Sequence, residues 1–211
     1  GFASLGVPGL SASTIALVLF VYYDMIYAIS HIFSQPKKSL TFLAFLLTGY
    51  AIGCNAESPK AIHKLYALKK PMKKFFMALI VPDIRSATEY ARIDNFAFNI
   101  MKPRVPGPYT FILPADPHIA RRLDVKRPEI GVRMPTHPFF KELFQHFDKP
   151  ILSTAAKLTD EDMYEPDDIW KTFEHSVDMM VDCGPIEINP TNIISLVGDQ
   201  VEVIRGELLD P

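Results

Sequence analysis

The chain has 211 residues, enough for one full domain and too few for two ordinary ones. Apolar residues make up 48% and charged residues 22%, which excludes global disorder. Lys plus Arg is 22 against 24 for Asp plus Glu, which excludes a wholesale polycation for nucleic acid but not a local basic face.

Two cysteines, Cys54 and Cys183, cannot build a disulfide scaffold; they fit a reducing compartment or at most one bridge. The chain does not begin with Met, and no Lys or Arg precedes Lys37, so the opening is not a well-formed signal peptide. Leu10 to Phe33 is almost continuously apolar, and about 20 such residues span a bilayer. Asp24 and His31 lie inside the run, and a carboxylate is costly at that depth. A buried helix or a misread sequence is therefore preferred to a membrane span. A second apolar run follows from Leu40 to Leu47.

From Gly49 onward the sequence reads as an α/β domain. Ser58-Pro59 starts a helix, with Ser at the N-cap and Pro at the first helical position. Ala61, Ile62, Leu65, Tyr66 and Leu68 recur at helical spacing, with Lys60, Lys64 and Lys69 placed off that stripe. Phe75 to Val81 predicts a buried strand. Ser86 to Ile93 and Asn95 to Lys102 predict two short helices, the second presenting Ala97, Phe98 and Met101 on one face. Three prolines and a glycine from Pro103 to Pro108 force a turn before a strand at Tyr109 to Leu113.

His118 to Leu123 predicts a helix, Ile130 to Met134 a strand, Pro138 to Phe147 a helix and Ile151 to Thr154 a strand. Asp160 to Asp168 is a solvated acidic loop, and Asp168 to Ser176 a helix around Trp170. Strands at Ile193 to Val197 and Val201 to Arg205 flank Gly198-Asp199, which suits a hairpin. Alternating strands and helices predict an α/β (α+β) single domain, a twisted, mixed, open sheet with flanking helices.

Several stretches carry a resemblance. They are Tyr50-Ala51-Ile52-Gly53-Cys54, Ala67-Leu68-Lys69-Lys70 and Pro106-Gly107-Pro108-Tyr109-Thr110-Phe111-Ile112-Leu113, then Lys126-Arg127. Ile130-Gly131-Val132-Arg133-Met134-Pro135, His137-Pro138, Ile151-Leu152-Ser153-Thr154, Pro190-Thr191 and Val203-Ile204-Arg205 follow. In this order and spacing they resemble the YrdC/YciO family of threonylcarbamoyl-AMP synthase-like proteins, nearest its YciO branch. The resemblance runs from about Thr48 to Glu207, giving a domain at 48–207, an atypical segment at 1–47 and a short tail at 208–211.

The resemblance implies a YrdC-like (DHBP synthase-like) fold with a basic concave cavity. Members with the full motif set take ATP with Mg2+ as substrate, L-threonine and bicarbonate, and form threonylcarbamoyl-AMP and pyrophosphate for a tRNA modification. No tightly bound cofactor is implied. Double-stranded RNA or tRNA is a possible partner, a membrane is not expected, and the implied location is the cytoplasm, with an organelle left open. A non-catalytic YciO-type module binding nucleotide or double-stranded RNA is the alternative.

Adenylyl transfer needs positive charge on the triphosphate, and the Arg fork grips phosphate at two points. The candidate nucleotide-binding residues are Thr48, Tyr50, Lys69, Thr110, Arg133, Ser153, Thr154 and Arg205. Arg133 is the strongest, because an Arg in an apolar strand needs an anionic partner. The hydroxyls have a simpler reading as strand groups satisfied by backbone. Lys60, Lys64, Lys70, Lys73 and Lys74 are the candidate RNA contacts, or else a solvated helix face. No metal site is expected, since the six His show no ligand spacing with the cysteines.

The departures are specific. Phe45-Leu46-Leu47-Thr48 stands where the family reads Pro-Thr-Asp-Thr, Ala155-Ala156-Lys157 where synthases carry Ser-Ala-Asn, Lys69-Lys70-Pro71 where they carry Lys-x-Arg, and Ala78 where a strand Ser or Thr is usual. Ala44 to Leu47 can be encoded so that a shifted frame reads Phe-Pro-Thr-Asp, so 1–47 is also readable as out-of-frame sequence. Taken as it stands, the segment implies loss of the usual first strand and of part of a threonine-binding wall.

Overall fold

The computed structural model describes residues 41–46, 49–70, 76–123, 128–159, 161, 163, 165–180, 190–198 and 200–209. The expectations for Leu10 to Phe33, Thr48, Lys73, Lys74, Cys183 and part of the acidic loop lie outside these residues. Among them, no helix is long and apolar enough to cross a membrane.

The described strands are β1 (Thr41–Leu46), β2 (Gly49–Asn55), β3 (Ala78–Ile80), β4 (Tyr109–Pro114), β5 (Glu129–Arg133), β6 (Ile151–Ala155), β7 (Met179–Met180), β8 (Asn192–Ser195) and β9 (Glu202–Arg205). They form one mixed sheet in the order β7-β1-β2-β6-β3-β5-β4-β8-β9. The helices are α1 (Pro59–Lys69), α2 (Ile84–Ala87), α3 (Asn95–Met101), α4 (Pro117–Arg122), α5 (Pro138–His146) and α6 (Pro166–Phe173). The expected architecture of a mixed open sheet with flanking helices is what the chain adopts.

The first strand is a correction. Thr41–Leu46 pairs antiparallel with β2, from Thr41 opposite Cys54 to Leu46 opposite Gly49. The apolar run that reads as part of a separate opening segment is thus a sheet strand, and the expected boundary at Thr48 falls between two paired strands. At the other end, residues assigned to a tail are fastened to the domain. Leu209 N donates to Tyr109 Oη at 3.2 Å, and Arg104 Nε donates to Leu209 O at 3.0 Å.

Prolines and short polar caps set the helix starts. Pro59, Pro117, Pro138 and Pro166 each sit in a first turn, where the missing N–H costs no helical bond. Ser58, Asp83, Asp94 and Asp116 accept from backbone N–H groups of α1, α2, α3 and α4. His137 does the same for α5, its Nδ1 accepting from Phe139 N at 3.2 Å. Burial lowers the His137 pKa, which suits a neutral ring with one acceptor nitrogen.

Alternation divides the sheet into two unlike faces. Ile52, Cys54, Leu79, Phe111, Leu113, Ile130, Val132, Leu152 and Ile194 belong to one buried cluster, together with Ala61, Ile62 and Leu65 of α1 and Ile169 and Phe173 of α6. Phe98 is a correction to the expected face of α3, and Trp170, in the helix expected around it, is likewise open to solvent. Both are more than a third exposed, and Lys102 Nζ lies 5.7 Å from the Phe98 ring centre.

Candidate functional site

The face away from that cluster carries the polar residues. Register aligns Gly53 with Ser153, Ser153 with Ala78, Ala78 with Gly131, Gly131 with Ile112 and Ile112 with Ser195. Five of these six side chains are no larger than a hydrogen, a methyl or a hydroxymethyl, Ile112 being the exception, so a shallow floor crosses the centre of the sheet. Gly131 has no room to be otherwise. A Cβ there would sit 3.1 Å from Ala78 Cβ, 3.1 Å from Met77 O and 3.2 Å from Thr110 Cγ2.

The next row along the same face holds the cations. Arg133 lies level with Ile80, and Arg205 with Ile193, which pairs with Thr110. Arg133 is 9% exposed and Thr110 8%. Burial pulls the Arg133 pKa down to about 10, and the positive charge of Arg205 pulls the same way. Two guanidinium groups therefore face the same region, an arrangement that favours a bound anion.

Hydroxyls tie this end together. Thr110 Oγ1 lies 3.2 Å from Thr191 Oγ1. Arg205 Nε donates to Thr191 O at 2.9 Å, and its Nη2 to Thr191 Oγ1 at 3.0 Å. The turn after β9 depends on glycine: Gly206 has φ +74, and a Cβ there would collide with the Asn192 side chain. Asn192 Oδ1 in turn accepts from Glu207 N at 3.0 Å, which fixes the end of the strand that carries Arg205.

The structure brings Thr110, Arg133, Ser153 and Arg205 onto one face. Ser153 is 3% exposed and donates to Ala78 O at 3.1 Å. Thr154 and Tyr50 stand at register positions on the opposite, core side. Thr154 pairs with Ile52 and donates to Phe76 O at 2.9 Å, and Tyr50 belongs to the buried cluster.

Lys69 is a correction. It lies on the buried stripe of α1, because seven residues from Ile62 bring it back almost in line with that side chain. It is 1% exposed, and its Nζ donates to Ala155 O at 3.0 Å and to Lys157 O. Burial lowers its pKa to about 8, with Lys157 adding repulsion.

Of the candidate RNA contacts, Lys60 and Lys70 are exposed and Lys64 is half-buried. Lys64 lies 3.7 Å from Asp178. They ride on a helix packed against the core face, so the sheet separates them from Arg133. Thr191 is a member of the cluster that sequence reasoning passed over. Its Pro190-Thr191 motif was legible, but nothing in the sequence links it to Arg205. Among the described residues, no three His, Cys, Asp or Glu side chains gather in a way that could hold a metal ion.

Comparison with known proteins adds a family. The family model Sua5_yciO_yrdC, described as telomere recombination, matches residues 47–206. The chain is 33% identical over 161 residues to the uncharacterized protein YciO of Escherichia coli strain K12, covering 75% of this chain and 78% of that one. It superposes on the crystal structure of E. coli YciO with a TM-score of 0.76 and 30% identity, covering 85% of this chain and 89% of that one. It is 30% identical over 159 residues to the threonylcarbamoyl-AMP synthase of Serratia proteamaculans strain 568, covering 72% of this chain and 83% of the synthase. The fold is also that of P. abyssi Sua5 complexed with L-threonine, with a TM-score of 0.72 at 20% identity over 81% of this chain and 51% of that one.

Proposed function

The chain belongs to the Sua5/YciO/YrdC family, and we propose that it holds a nucleotide, ATP with its Mg2+, on the Arg133 face of the sheet. The single observation that carries this is the convergence of Arg133 and Arg205 beside Thr110 and Thr191 at one end of a small-residue floor. The two guanidinium groups neutralise phosphate charge, and the hydroxyls supply hydrogen bonds whose strength rises in a partly dry site. In the threonylcarbamoyl-AMP synthase reaction, the L-threonine amine and bicarbonate give a carbamate and water. A carbamate oxygen then attacks the α-phosphorus of ATP and pyrophosphate leaves. Arg133 and Arg205 are the residues here suited to hold the charge of that displacement.

A second reading is a YciO-type module that binds nucleotide or double-stranded RNA in the cytoplasm without making this product. Lys69 favours it. Its ammonium is engaged by the carbonyls of Ala155 and Lys157, at the segment where synthases carry Ser and Asn. The surface for RNA is then Lys60, Lys64 and Lys70, with Lys73 and Lys74 following in sequence.

The two readings separate on product. The protein is incubated with Mg-ATP, L-threonine and labelled bicarbonate, and label is followed into a threonine-dependent adenylate with equimolar pyrophosphate. Product supports the synthase reading. ATP binding with no adenylate supports the binding module and sinks the synthase.

A further inference from the structure

Arg205 is the last residue of the outermost strand. Among the described residues, β9 has β8 as its one neighbour in the sheet, and the ladder shifts register between Ile193 and Ile194. All four residues of β9 are exposed. An edge strand has no second partner, and exposed strand ends open readily. The Arg205 guanidinium is nevertheless fixed on Thr191 by two hydrogen bonds. The residues that follow it in the chain supply the restraint that β9 lacks.

Gly206 makes the turn out of β9 with φ +74. Glu207 N donates to Asn192 Oδ1 at 3.0 Å. Leu208 packs against the core cluster. Leu209 is held at both ends of its backbone: its N donates to Tyr109 Oη at 3.2 Å, and its O accepts from Arg104 Nε at 3.0 Å. Asn192 and Tyr109 are register partners on paired strands, so their two anchors lie side by side. Residues 206–209 therefore run as a strap from Arg205, on the anion-binding face, round the end of the sheet to the core side.

The two anchors of Leu209 are themselves braced. Tyr109 is 5% exposed, and its ring stacks on Phe111 with centres 5.5 Å apart. Arg104 Nη1 donates to Ile100 O at 2.9 Å, in the last turn of α3, where the helix end favours a cation. We propose that Arg104 and Tyr109 are positioning residues for the nucleotide site: by holding Leu209 they keep the strap taut, and the strap keeps Arg205 within reach of phosphate. The inference rests on the nucleotide reading above and adds two residues that act through Arg205 rather than on the ligand.

Two measurements test it on Arg104→Met and Tyr109→Phe. Phenylalanine keeps the stacked ring and methionine keeps the stem of a half-buried arginine, so both variants fold with urea midpoints near that of the wild type. Nuclear magnetic resonance of the Arg205 Nε–H reads the restraint without ligand. Its exchange with water is expected to be about fivefold faster in each variant, the effect of one lost hydrogen bond. Calorimetric titration reads the consequence: ATP and inorganic tripolyphosphate each bind about threefold more weakly, because the restrained group is one that meets phosphate. In an Arg205→Met background neither substitution weakens binding further.

Unchanged exchange at Arg205 Nε in both variants overturns the strap, whatever the affinities. The same loss of affinity with and without Arg205 overturns it too, since a general structural effect or the bare charge of Arg104 would act in both backgrounds. Wild type that binds neither ATP nor tripolyphosphate, even where exchange responds as expected, overturns the nucleotide reading and with it the role assigned to the strap.

Discussion

Lys69→Met is expected to lower the unfolding free energy by about 2 kcal/mol, with the helix and sheet content unchanged. Methionine matches the length of the lysine stem, so packing in α1 survives. The hydrogen bonds to Ala155 O and Lys157 O do not. Ala155 O keeps a second donor, Lys157 N at 2.9 Å, so the main loss falls on Lys157 O. Removing a buried ammonium offsets part of that loss, which keeps the figure from being larger. Urea denaturation reads the difference as a lower midpoint at constant slope.

The pH dependence supplies a signature of the ammonium itself. The Lys69 pKa falls from 10.5 in the open chain to about 8 in the fold. Between those values the unfolded chain binds more protons, so stability rises with pH. The wild type therefore gains stability from about pH 8 towards 10.5 through this group, and Lys69→Met lacks that gain. Equal midpoints for the two proteins at every pH would show that Lys69 does not hold the end of β6.

Arg133→Met is expected to weaken ATP binding about 100-fold, from loss of a two-point charged contact in a partly buried site. Arg133→Lys keeps the charge but not the fork, and recovers about tenfold of that loss. Neither change is expected to unfold the protein, because methionine suits the apolar strand and removal of one guanidinium relieves its repulsion with Arg205. The wild-type affinity falls with added salt, and the slope is shallower in Arg133→Met. Unchanged ATP affinity in Arg133→Met would move the nucleotide off this face.

The sequence made the elements legible where local chemistry decides them. Ser58-Pro59 announces α1, and Pro138 announces α5. Asp94 and Asp116 cap where a short polar side chain must. The burial of Arg133 was legible too, because an Arg flanked by Val132 and Met134 in an apolar strand is a chemical anomaly. What failed was whatever register alone determines. Gly53, Ala78, Gly131 and Ser153 come from four strands spread over about half the chain, and only the pairing aligns them into a floor. Thr191 joins Arg205 only because β8 and β9 pair.

Lys69 was misplaced for a different reason. Its charge argued for the solvent face, while helical spacing from Ile62 put it on the buried one, and carbonyls at the end of β6 made that burial affordable. The same applies to Thr41–Leu46. A continuous apolar run reads as helix or strand equally well, and its pairing with β2 decides between them.

The most direct measurement is a crystal structure of the protein with a non-hydrolysable ATP analogue and Mg2+. The account predicts triphosphate oxygens within hydrogen-bond distance of the Arg133 and Arg205 guanidinium groups, over the floor formed by Ala78 and Gly131. An analogue seated instead against Lys60 and Lys64 on α1, or anywhere on the core side of the sheet, would contradict it.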